Sequence, residues 1–361
     1  MKPPKHSHAS PKHIEYVFDE ASGLYCRAKS TQQYVVVFAS EAHASGLCAA
    51  LPQPYVRVTS RAALIAETAK RTVAAAFVDV DLLYQIAGEL ANVPIVGIID
   101  DLPSETLSKT LRSLDSFPWL SHVITSSMLA TPMAPVHLHM LLDRFALGPA
   151  HDMLGAGGVG RVALLARASR REARFERMHE FFAKRGLSSR TIAAIGEVSE
   201  ELVMNALYDA PVEAGFFDHA IPRTEDVDLP VDRACEISYG LEGDNVFVRL
   251  RDTFGALSRS RLIEVLNRCN KGAVALDESR GGAGLGLWRV FSTASTISIT
   301  VIPGQLTDVL IGLSTKDGRL AKQLLAVHLF FVPIMDGAVT NLVSDDDRGL
   351  LDHSITFVGV S

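Results

Sequence analysis

The chain has 361 residues, of which 48% are hydrophobic and 21% are charged, and its formal net charge is −6. This length suggests two domains of roughly 100–200 residues each, and the apolar fraction is large enough to bury cores, which excludes a globally disordered chain. The acidic balance argues against a broad nucleic-acid-binding surface, because such a surface is normally basic.

Residues 1–30 are polar and contain many prolines, histidines and lysines, so they predict a flexible tail. From Tyr34 onward, apolar and β-branched runs alternate with helical stretches such as 61–70 and 82–90. The runs are typical of strands buried on both faces. They occupy 34–38, 55–58, 74–81, 94–101 and 122–125. This alternation predicts a parallel sheet covered by helices over residues 31–148.

Residues 149–160 interrupt the alternation with a glycine-rich run from Gly155 to Gly160. Such a run is either a flexible linker or a phosphate-binding loop. It lacks the Gly-Lys-Ser/Thr ending of a P-loop, and no predicted strand leads into it. We therefore interpret residues 149–160 as a linker between two domains.

Residues 161–315 predict a second domain in which helices lie on one face of a mixed sheet. The first helical stretch runs from Arg161 to Lys184 and the second from Thr191 to Asp209, with Ser188 or Ser189 as its N-cap. Alternating apolar and polar residues predict the strands, and longer apolar periods predict the remaining helices. The strands are at 236–241, 245–252, 297–302 and 308–313, and the helices are at 258–267 and 285–293.

Residues 316–361 form a C-terminal extension without a clear pattern. Its segment 324–332 is compatible with either a strand or a helix, and 354–358 is typical of a strand. The apolar window from Leu324 to Met335 is too short to cross a membrane, which takes about 20 residues. No apolar stretch follows the basic N-terminus, so we expect no secretory signal.

The four cysteines are widely scattered and form no CxxC pair, which argues against a zinc site or a disulfide framework. They are Cys26, Cys48, Cys235 and Cys269. Unpaired cysteines fit a reducing compartment, so we expect a cytoplasmic protein without a membrane segment.

Two short motifs carry most of the functional signal. Glu201 lies four residues before Asn205, which places the two side chains on the same face of a helix. Downstream, Asp252 ends a predicted strand, and the glycine-rich run 281–286 precedes a predicted helix. A carboxylate and an amide side by side, followed by glycine-rich turns, are what a magnesium–nucleotide pocket needs. We therefore expect the chain to bind ATP.

With these motifs in this order, residues 170–315 resemble the ATP-binding domain shared by histidine kinases, gyrase-type enzymes and Hsp90, the GHKL or Bergerat fold. Within that superfamily, segments 181–188 and 198–206 are most similar to the anti-sigma-factor serine kinases. The resemblance implies an α/β two-layer sandwich of the histidine-kinase-type ATPase fold for residues 161–315.

The resemblance also implies a role for each matching residue. Asn205 would hold Mg²⁺ bridging the phosphates, and Glu201 would be the catalytic residue that polarises the attacking water or hydroxyl as a general base. Asp252 would accept a hydrogen bond from the adenine amine. The backbone of the turns would approach the nucleotide, with the N-terminus of the following helix facing negative charge. These turn positions are Gly255, Gly282, Gly284, Leu285 and Gly286.

The chain departs from the family pattern at four positions. Phe254 and Ala256 stand where the family usually has glycines after the aspartate. Tyr208 replaces a residue that is often basic, and Asp209 replaces a histidine typical of the anti-sigma group. An extra carboxylate near phosphates is unfavourable unless it binds metal. These departures bear more on catalysis than on nucleotide binding.

Residues 31–148 resemble a receiver domain of two-component signalling, with five strands in a flavodoxin-like order. A receiver carries a phosphorylatable aspartate at the end of its third strand, and Asp79 or Asp81 stands there. The first strand is followed by a single acid, Glu41, and no lysine follows the fifth strand, so the carboxylate set that Mg²⁺ needs is incomplete. We expect a degenerate receiver used for interaction or dimerisation, with plain solvation of Asp79 and Asp81 favoured over phosphorylation.

Three functions stay open. The first is a bacterial signalling protein that binds Mg-ATP and regulates a protein partner, with transfer of the γ-phosphate to a serine or threonine as in an anti-sigma-type kinase. The second is a non-catalytic, nucleotide-gated interaction module, a pseudokinase-like scaffold with a pseudo-receiver domain. The third is a kinase acting on a separate histidine-containing phosphotransfer partner.

Residue His179 does not make the chain a histidine kinase. It lies too close to Asn205 to leave room for the dimerising helical hairpin of those enzymes, so we interpret it as a surface histidine. We expect a protein as the partner, with homodimer formation left open. No nucleic acid or membrane is expected as a partner.

Overall fold

The computed structural model describes residues 16–19, 24–27, 33–86, 90, 93–100, 105–148, 153–154, 159–270, 285–315, 323–332 and 354–356. Within these ranges the protein is a mixed α/β structure built on one sheet of twelve strands, accompanied by a separate two-stranded hairpin. None of the helices in these ranges combines the length and the apolar character needed to cross a membrane.

The separate hairpin pairs β1 (Tyr16–Asp19) with β2 (Leu24–Arg27) in antiparallel fashion. It lies inside residues 1–30, so the prediction of a flexible tail throughout this segment is corrected. The strand sequences Tyr-Val-Phe and Leu-Tyr-Cys combine β-branched and aromatic residues that favour a pleated sheet. The proline-, histidine- and lysine-rich composition that predicts a tail belongs to the residues before them.

The N-terminal half, residues 33–148, contains a five-stranded parallel part of the sheet. In chain order its elements are β3 (Tyr34–Phe38), α1 (Glu41–Ala50), β4 (Tyr55–Arg57), α2 (Arg61–Lys70), β5 (Val73–Asp79), β6 (Ile95–Ile99), α3 (Thr106–Ser116), β7 (His122–Thr125), α4 (Ser126–Leu129) and α5 (Ala134–Leu147). The strands lie in the order β4-β3-β5-β6-β7, and each neighbouring pair is parallel. All five predicted strands are therefore confirmed.

One predicted element of this half is wrong. The sequence predicts a helix over 82–90, whereas the structure has a short 3₁₀ helix over Val80–Gln85 directly after β5. Asp81 consequently lies in this 3₁₀ helix and not at the end of the strand, which ends at Asp79. Leu83 is fully buried, so the 3₁₀ helix places one apolar side chain in the core.

The C-terminal half, residues 159–315, contains an antiparallel part of the same sheet. In chain order its elements are β8 (Val159–Leu165), α6 (Arg171–Ala183), α7 (Ser189–Met204), α8 (Ala210–Glu213), β9 (Cys235–Glu242), β10 (Asn245–Asp252), α9 (Arg259–Asn270), α10 (Leu285–Thr293), β11 (Thr296–Ile302) and β12 (Leu306–Ser314). The strand order is β8-β9-β10-β12-β11, with every neighbouring pair antiparallel.

The strand β8 corrects a second prediction, because the sequence predicts helix from Arg161 onward. Ala163 and Leu165 are buried, whereas Val162 and Leu164 are half-buried, which is the period of two expected for a strand. The helix begins only at Arg171. The arginine-rich sequence of 167–177 favours a helix, and the sequence pattern extends this prediction over the whole of 161–184.

The C-terminal extension joins the two halves. The strand β13 (Ala326–Phe331) pairs antiparallel with β7 and parallel with β11. A short strand β14 (Ser354–Thr356) pairs with β8 at the far edge. The open alternative at 324–332 is thus resolved in favour of a strand. Because β13 lies between β7 and β11, the two halves share one continuous sheet. Most of the predicted linker 149–160 lies outside the described residues, and its last two residues belong to β8.

Helices also connect the halves on one face of this sheet. An Nη2 nitrogen of Arg259, at the start of α9, donates to the carbonyl oxygens of Leu114 at 2.7 Å and Leu120 at 2.9 Å. At the other end of α9, Asn270 accepts a hydrogen bond from Ser108 on α3 at 2.6 Å. The helix α3 of the N-terminal half therefore packs along α9.

Candidate functional site

The predicted site residues lie on α7 and on its continuation. The Oγ atom of Ser188 accepts a hydrogen bond from the Thr191 amide at 3.2 Å, which starts the helix at the predicted N-cap. The apolar face of α7 is buried, with Ile195, Val198 and Val203 fully inaccessible. The opposite, partly exposed face carries Glu201 and Asn205, as the spacing predicts.

The helix changes character at Asn205. A single π-helical turn spans Asn205–Asp209 and leads into α8. π-turns inserted into α-helices are rare and frequently coincide with functional sites. Here the wide turn begins at the predicted metal ligand, and it carries Tyr208 and Asp209, two of the residues that depart from the family pattern.

Residue Tyr208 has a structural role. Its side chain is 2% exposed, and its hydroxyl donates to the backbone carbonyl of Glu225 at 2.6 Å. This bond fixes the loop that follows α8 against the π-turn. A basic residue at this position, as the family often has, would point its charge into an apolar core, so the tyrosine is explained by packing and by loop anchoring.

The anchored loop brings Arg223 to the site. Its Nη2 atom is 3.1 Å from Oδ2 of Asp209, and its Nη1 atom is 3.7 Å from Oε2 of Glu201. From α10, Nη1 of Arg289 lies 3.8 Å from the other carboxylate oxygen of Glu201. Glu201 thus faces two guanidinium groups, and Asp209 is not the uncompensated extra carboxylate that the sequence suggests.

Burial raises the pKa of Asp209, and the nearby Arg223 only partly offsets this effect. Burial also raises the pKa of Glu213 on α8, although Arg261 lies 2.5 Å away, and the charges of Asp209 and Asp252 add to the increase. Glu213 therefore lies within the range of charge–charge interaction of both Asp209 and Asp252. The structure therefore brings the end of β10 towards the polar face of α7 and α8.

The first turns of α10 lie directly against Glu201. A Cβ atom added to Gly286 would be 2.0 Å from Oε2 of Glu201, a separation that real atoms do not reach. An alanine here would force the flexible end of the Glu201 side chain to move. Leu285 is the first described residue of α10, so the described start of this helix lies near the polar face of α7. Gly282 and Gly284 lie outside the described residues.

Residue Asp252 ends β10 and is buried, with 5% exposure. Its Oδ1 atom accepts hydrogen bonds from the amides of Phe254 at 2.9 Å and Gly255 at 3.2 Å. Burial raises the pKa of Asp252 to about 6, against the opposing effect of these bonds and of Thr307. The carboxylate thus caps its own turn and also bonds to Thr307 on the neighbouring strand β12.

Two residues after Asp252 have packing roles. Gly255 has φ +58°, and a Cβ atom there would lie 2.1 Å from the carbonyl oxygen of Ile302, so the β11–β12 turn requires glycine. The buried ring of Phe254 packs edge-on against Phe216, with centroids 5.6 Å apart, and Arg233 lies over its face. Phe254 thus takes the space next to Asp252 that a glycine would leave open.

A second polar cluster lies at the carboxyl edge of the parallel strands. Asp79 accepts from the Ser40 amide through Oδ2 at 2.7 Å, and its Oδ1 is 2.7 Å from Nδ1 of His43. The Nε2 atom of the same imidazole is 2.8 Å from Asp100. Burial alone would lower the pKa of His43, but the hydrogen bonds and charges of Asp79 and then Asp100 raise it overall.

This cluster separates the two predicted phosphoacceptors. Asp79 belongs to it and uses both carboxylate oxygens, so a phosphoryl group could attach only after that network breaks. Asp81 is exposed in the 3₁₀ helix and does not take part. Sequence reasoning missed His43 and Arg223. His43 had a usable signal, since it follows the N-cap Ser40 of a helix that starts at this edge.

Comparison of the sequence with models of known protein families gives no match, and comparison with curated proteins gives no significant match either. The fold defines the chain as a mixed α/β protein with one large sheet.

Proposed function

We propose that the chain is a signalling protein that binds ATP in a GHKL-type domain over residues 161–315 and regulates a protein partner. The observation that carries this proposal is the approach of α10 to α7 at Gly286 and Glu201. It puts the described start of α10 and Arg289 beside Glu201, one helical turn from Asn205. Guanidinium groups and a nearby amide side chain suit a polyphosphate.

The architecture supports this proposal in both halves. In the C-terminal half, α7, α9 and α10 contribute to one apolar core together with β9, β10, β11 and β12, as expected of a two-layer sandwich. In the N-terminal half, numbering the parallel strands by sequence gives the order 2-1-3-4-5, which is the flavodoxin-like order of receiver domains. A degenerate receiver domain attached to a histidine-kinase-type ATPase domain accounts for the strand order of the N-terminal half and for the layered core of the C-terminal half.

Each residue has a defined task in this proposal. Arg223 and Arg289 orient the phosphates, and the buried carboxylate of Asp252 accepts a hydrogen bond from the adenine amine. The Asn205 amide oxygen, a hard donor of the kind Mg²⁺ prefers, would hold the metal together with water, and the metal would neutralise phosphate charge. Glu201 accepts the proton of an attacking hydroxyl if transfer occurs.

The contacts of Glu201 favour the non-catalytic alternative to a serine/threonine kinase. A general base must direct a free lone pair at the attacking hydroxyl. In this structure both oxygens of Glu201 face guanidinium groups, at 3.7 Å and 3.8 Å. A nucleotide-gated interaction module needs no free base, whereas a kinase requires that at least one arginine moves to the phosphates. A phosphotransfer partner bearing the acceptor histidine is a third possibility under the same chemistry.

The test is calorimetric titration with ATP and ADP in the presence of Mg²⁺, on the wild type and on Asn205→Ala. We expect binding by the wild type and roughly tenfold or greater weakening in the variant, the usual order for a lost charge-assisted contact. Equal affinity of both proteins would refute the assignment of Asn205. Glu201→Gln then separates the alternatives, since it abolishes transfer by a kinase and leaves nucleotide-gated partner binding intact.

A further inference from the structure

We infer that Arg223 is a built-in cation for the nucleotide polyphosphate, so that ATP affinity persists in large part when divalent ions are removed. This inference depends on the proposed function, and it names a positioning and specificity residue of that same site. It concerns a residue for which the family motifs give no role.

The position of Arg223 is the first argument. Glu201 and Asp209 lie one turn before and one turn after Asn205 on the same polar face, and the Arg223 guanidinium contacts both. It must therefore cross the turn that carries Asn205. This is the neighbourhood in which a metal held by Asn205 would bridge the phosphates, and a positive group is already there.

The loop around Arg223 is held firmly, which is the second argument. Tyr208 binds the carbonyl of Glu225, and Asp226 accepts a hydrogen bond from the Ser169 amide at 2.7 Å. Further along, the Leu229 amide donates to the carbonyl of Ala166 at 2.8 Å. The side chain of Arg223 is 33% exposed. Because these bonds order the chain near Arg223 and its guanidinium already contacts two carboxylates, binding a ligand requires little further ordering of this segment.

The charge balance is the third argument. Glu201 and Asp209 carry two negative charges and contact two positive charges, those of Arg223 and Arg289, so these four charges offset one another before a ligand arrives. A guanidinium has five N–H donors in a fork that fits phosphate oxygens, and two carboxylate contacts leave donors to spare. Mg²⁺ beside this guanidinium would be repelled by it, so the presence of one cation reduces the contribution of the other to binding the polyphosphate.

The test is a thermodynamic cycle of ATP affinity, measured by calorimetry with Mg²⁺ and with EDTA on the wild type and on Arg223→Ala. We expect EDTA to weaken binding by the wild type less than about tenfold, and to weaken the variant by at least a further factor of about ten, as for a lost charged hydrogen bond. Arg190→Ala is the matched control, because Arg190 is exposed in the first turn of α7. The ATP affinities of Arg190→Ala with Mg²⁺ and with EDTA should equal those of the wild type.

Two further variants guard against a folding artefact, since Arg223→Ala leaves Asp209 without its partner. Arg223→Lys keeps the charge and should recover part of the EDTA-resistant binding, and Arg223→Ala with Asp209→Asn removes both charges of the pair. Wild-type binding that EDTA abolishes as completely as in Arg223→Ala would overturn the inference and leave the proposed function standing. No nucleotide binding by the wild type under either condition would overturn the proposed function itself.

Discussion

His328 on β13 lies directly opposite His122 on β7 at the point where the two halves of the sheet meet. The Nε2 atom of His328 is also 2.9 Å from Nε2 of His137 on α5. Phe145 and Phe330 pack around the ring of His122, with centroids 4.8 Å away in each case. The seam between the halves is thus built from buried imidazole and phenyl rings.

The first prediction is that this seam weakens in mild acid. Burial lowers the pKa of His122 to about 3 and that of His137 to about 4, and burial also lowers the pKa of His328. All three are neutral when folded but charge near pH 6.5 when unfolded. The contribution of these three groups to the free energy of unfolding should therefore be constant above that pH and fall below it, by about 1.4 kcal/mol per group and pH unit.

Urea unfolding at pH 7.5, 6 and 5 measures this effect. His122→Leu should flatten the acid-side slope, because one group that must stay neutral is gone. His139→Gln is the control, since His139 is 57% exposed on the same helix as His137 and should leave the slope unchanged. An identical slope in His122→Leu and the wild type would contradict the prediction.

The second prediction concerns His43, whose pKa shift has the opposite sign. Because Asp79 and Asp100 raise the pKa of His43, its contribution to stability is complete below its unfolded pKa of about 6.5 and is lost as the pH rises through the folded value. His43→Gln should therefore lower the melting temperature more at pH 6 than at pH 9. The expected loss at pH 6 is about 1–3 kcal/mol, the usual cost of leaving a charged partner unpaired.

The third prediction concerns Asp252→Asn. The pKa of Asp252 is raised to about 6, so above that pH the fold holds a buried charge at a cost. The amide oxygen of asparagine can still accept from the Phe254 and Gly255 amides, so the turn should survive. Relative to the wild type, we expect the variant to gain stability on going from pH 5 to pH 8 in denaturant titrations.

In the same variant the proposed adenine contact should fail. With its oxygen turned to the backbone, the asparagine would present a donor to the adenine amine, which is also a donor. We expect ATP affinity to drop by roughly tenfold or more, since a site with a mismatched buried polar group rejects its ligand. Unchanged affinity in calorimetry would show that Asp252 is only the cap of its turn.

The fourth prediction is that Gly286→Ala disrupts the contact between α7 and α10. Its new methyl group would overlap the Glu201 carboxylate and cost about 1–3 kcal/mol of stability, as overpacking usually does. Gly46→Ala is the control, because a Cβ atom there meets only Leu129 at 3.6 Å and alanine favours the helix α1. In chemical denaturation the Gly46 variant should be as stable as the wild type or more stable.

A double variant tests the reason for that loss. Glu201→Ala combined with Gly286→Ala removes the group with which the methyl collides, so stability should return towards that of Glu201→Ala alone. Additive losses in the double variant would mean that the two residues do not meet.

The strands were the most predictable part of the fold, because the burial of a strand can be inferred from the pattern of its own residues. The run Tyr34–Phe38 is apolar without interruption, as a parallel strand covered on both faces requires. The sequences of β9 and β10 alternate between apolar and polar residues, which predicts strands, although the structure buries both faces over most of their length. The strand identity of 326–331 is not local in this sense. It depends on two unpaired edges, β7 and β11, that are far away in the sequence.

The candidate site likewise combines residues whose proximity follows from local sequence spacing with residues that meet only in the folded structure. Glu201 and Asn205 could be paired from sequence because a helix fixes the relation between residues four apart. Arg223 could not, since it lies in a loop without periodicity and reaches its carboxylates through the anchoring of Tyr208. The ring of His43 likewise meets Asp79 and Asp100 only after three separate elements have assembled.

The position of β13 has a consequence for the order in which the protein can mature. During synthesis, β7 emerges long before Ala326–Phe331 and β11 emerges shortly before it, so each has an open hydrogen-bonding edge until β13 is available. Exposed strand edges invite pairing between nascent chains. The yield of correctly folded protein would then depend on protection of the β7 and β11 edges by chaperones, or on rapid pairing of β13 with both strands once it leaves the ribosome.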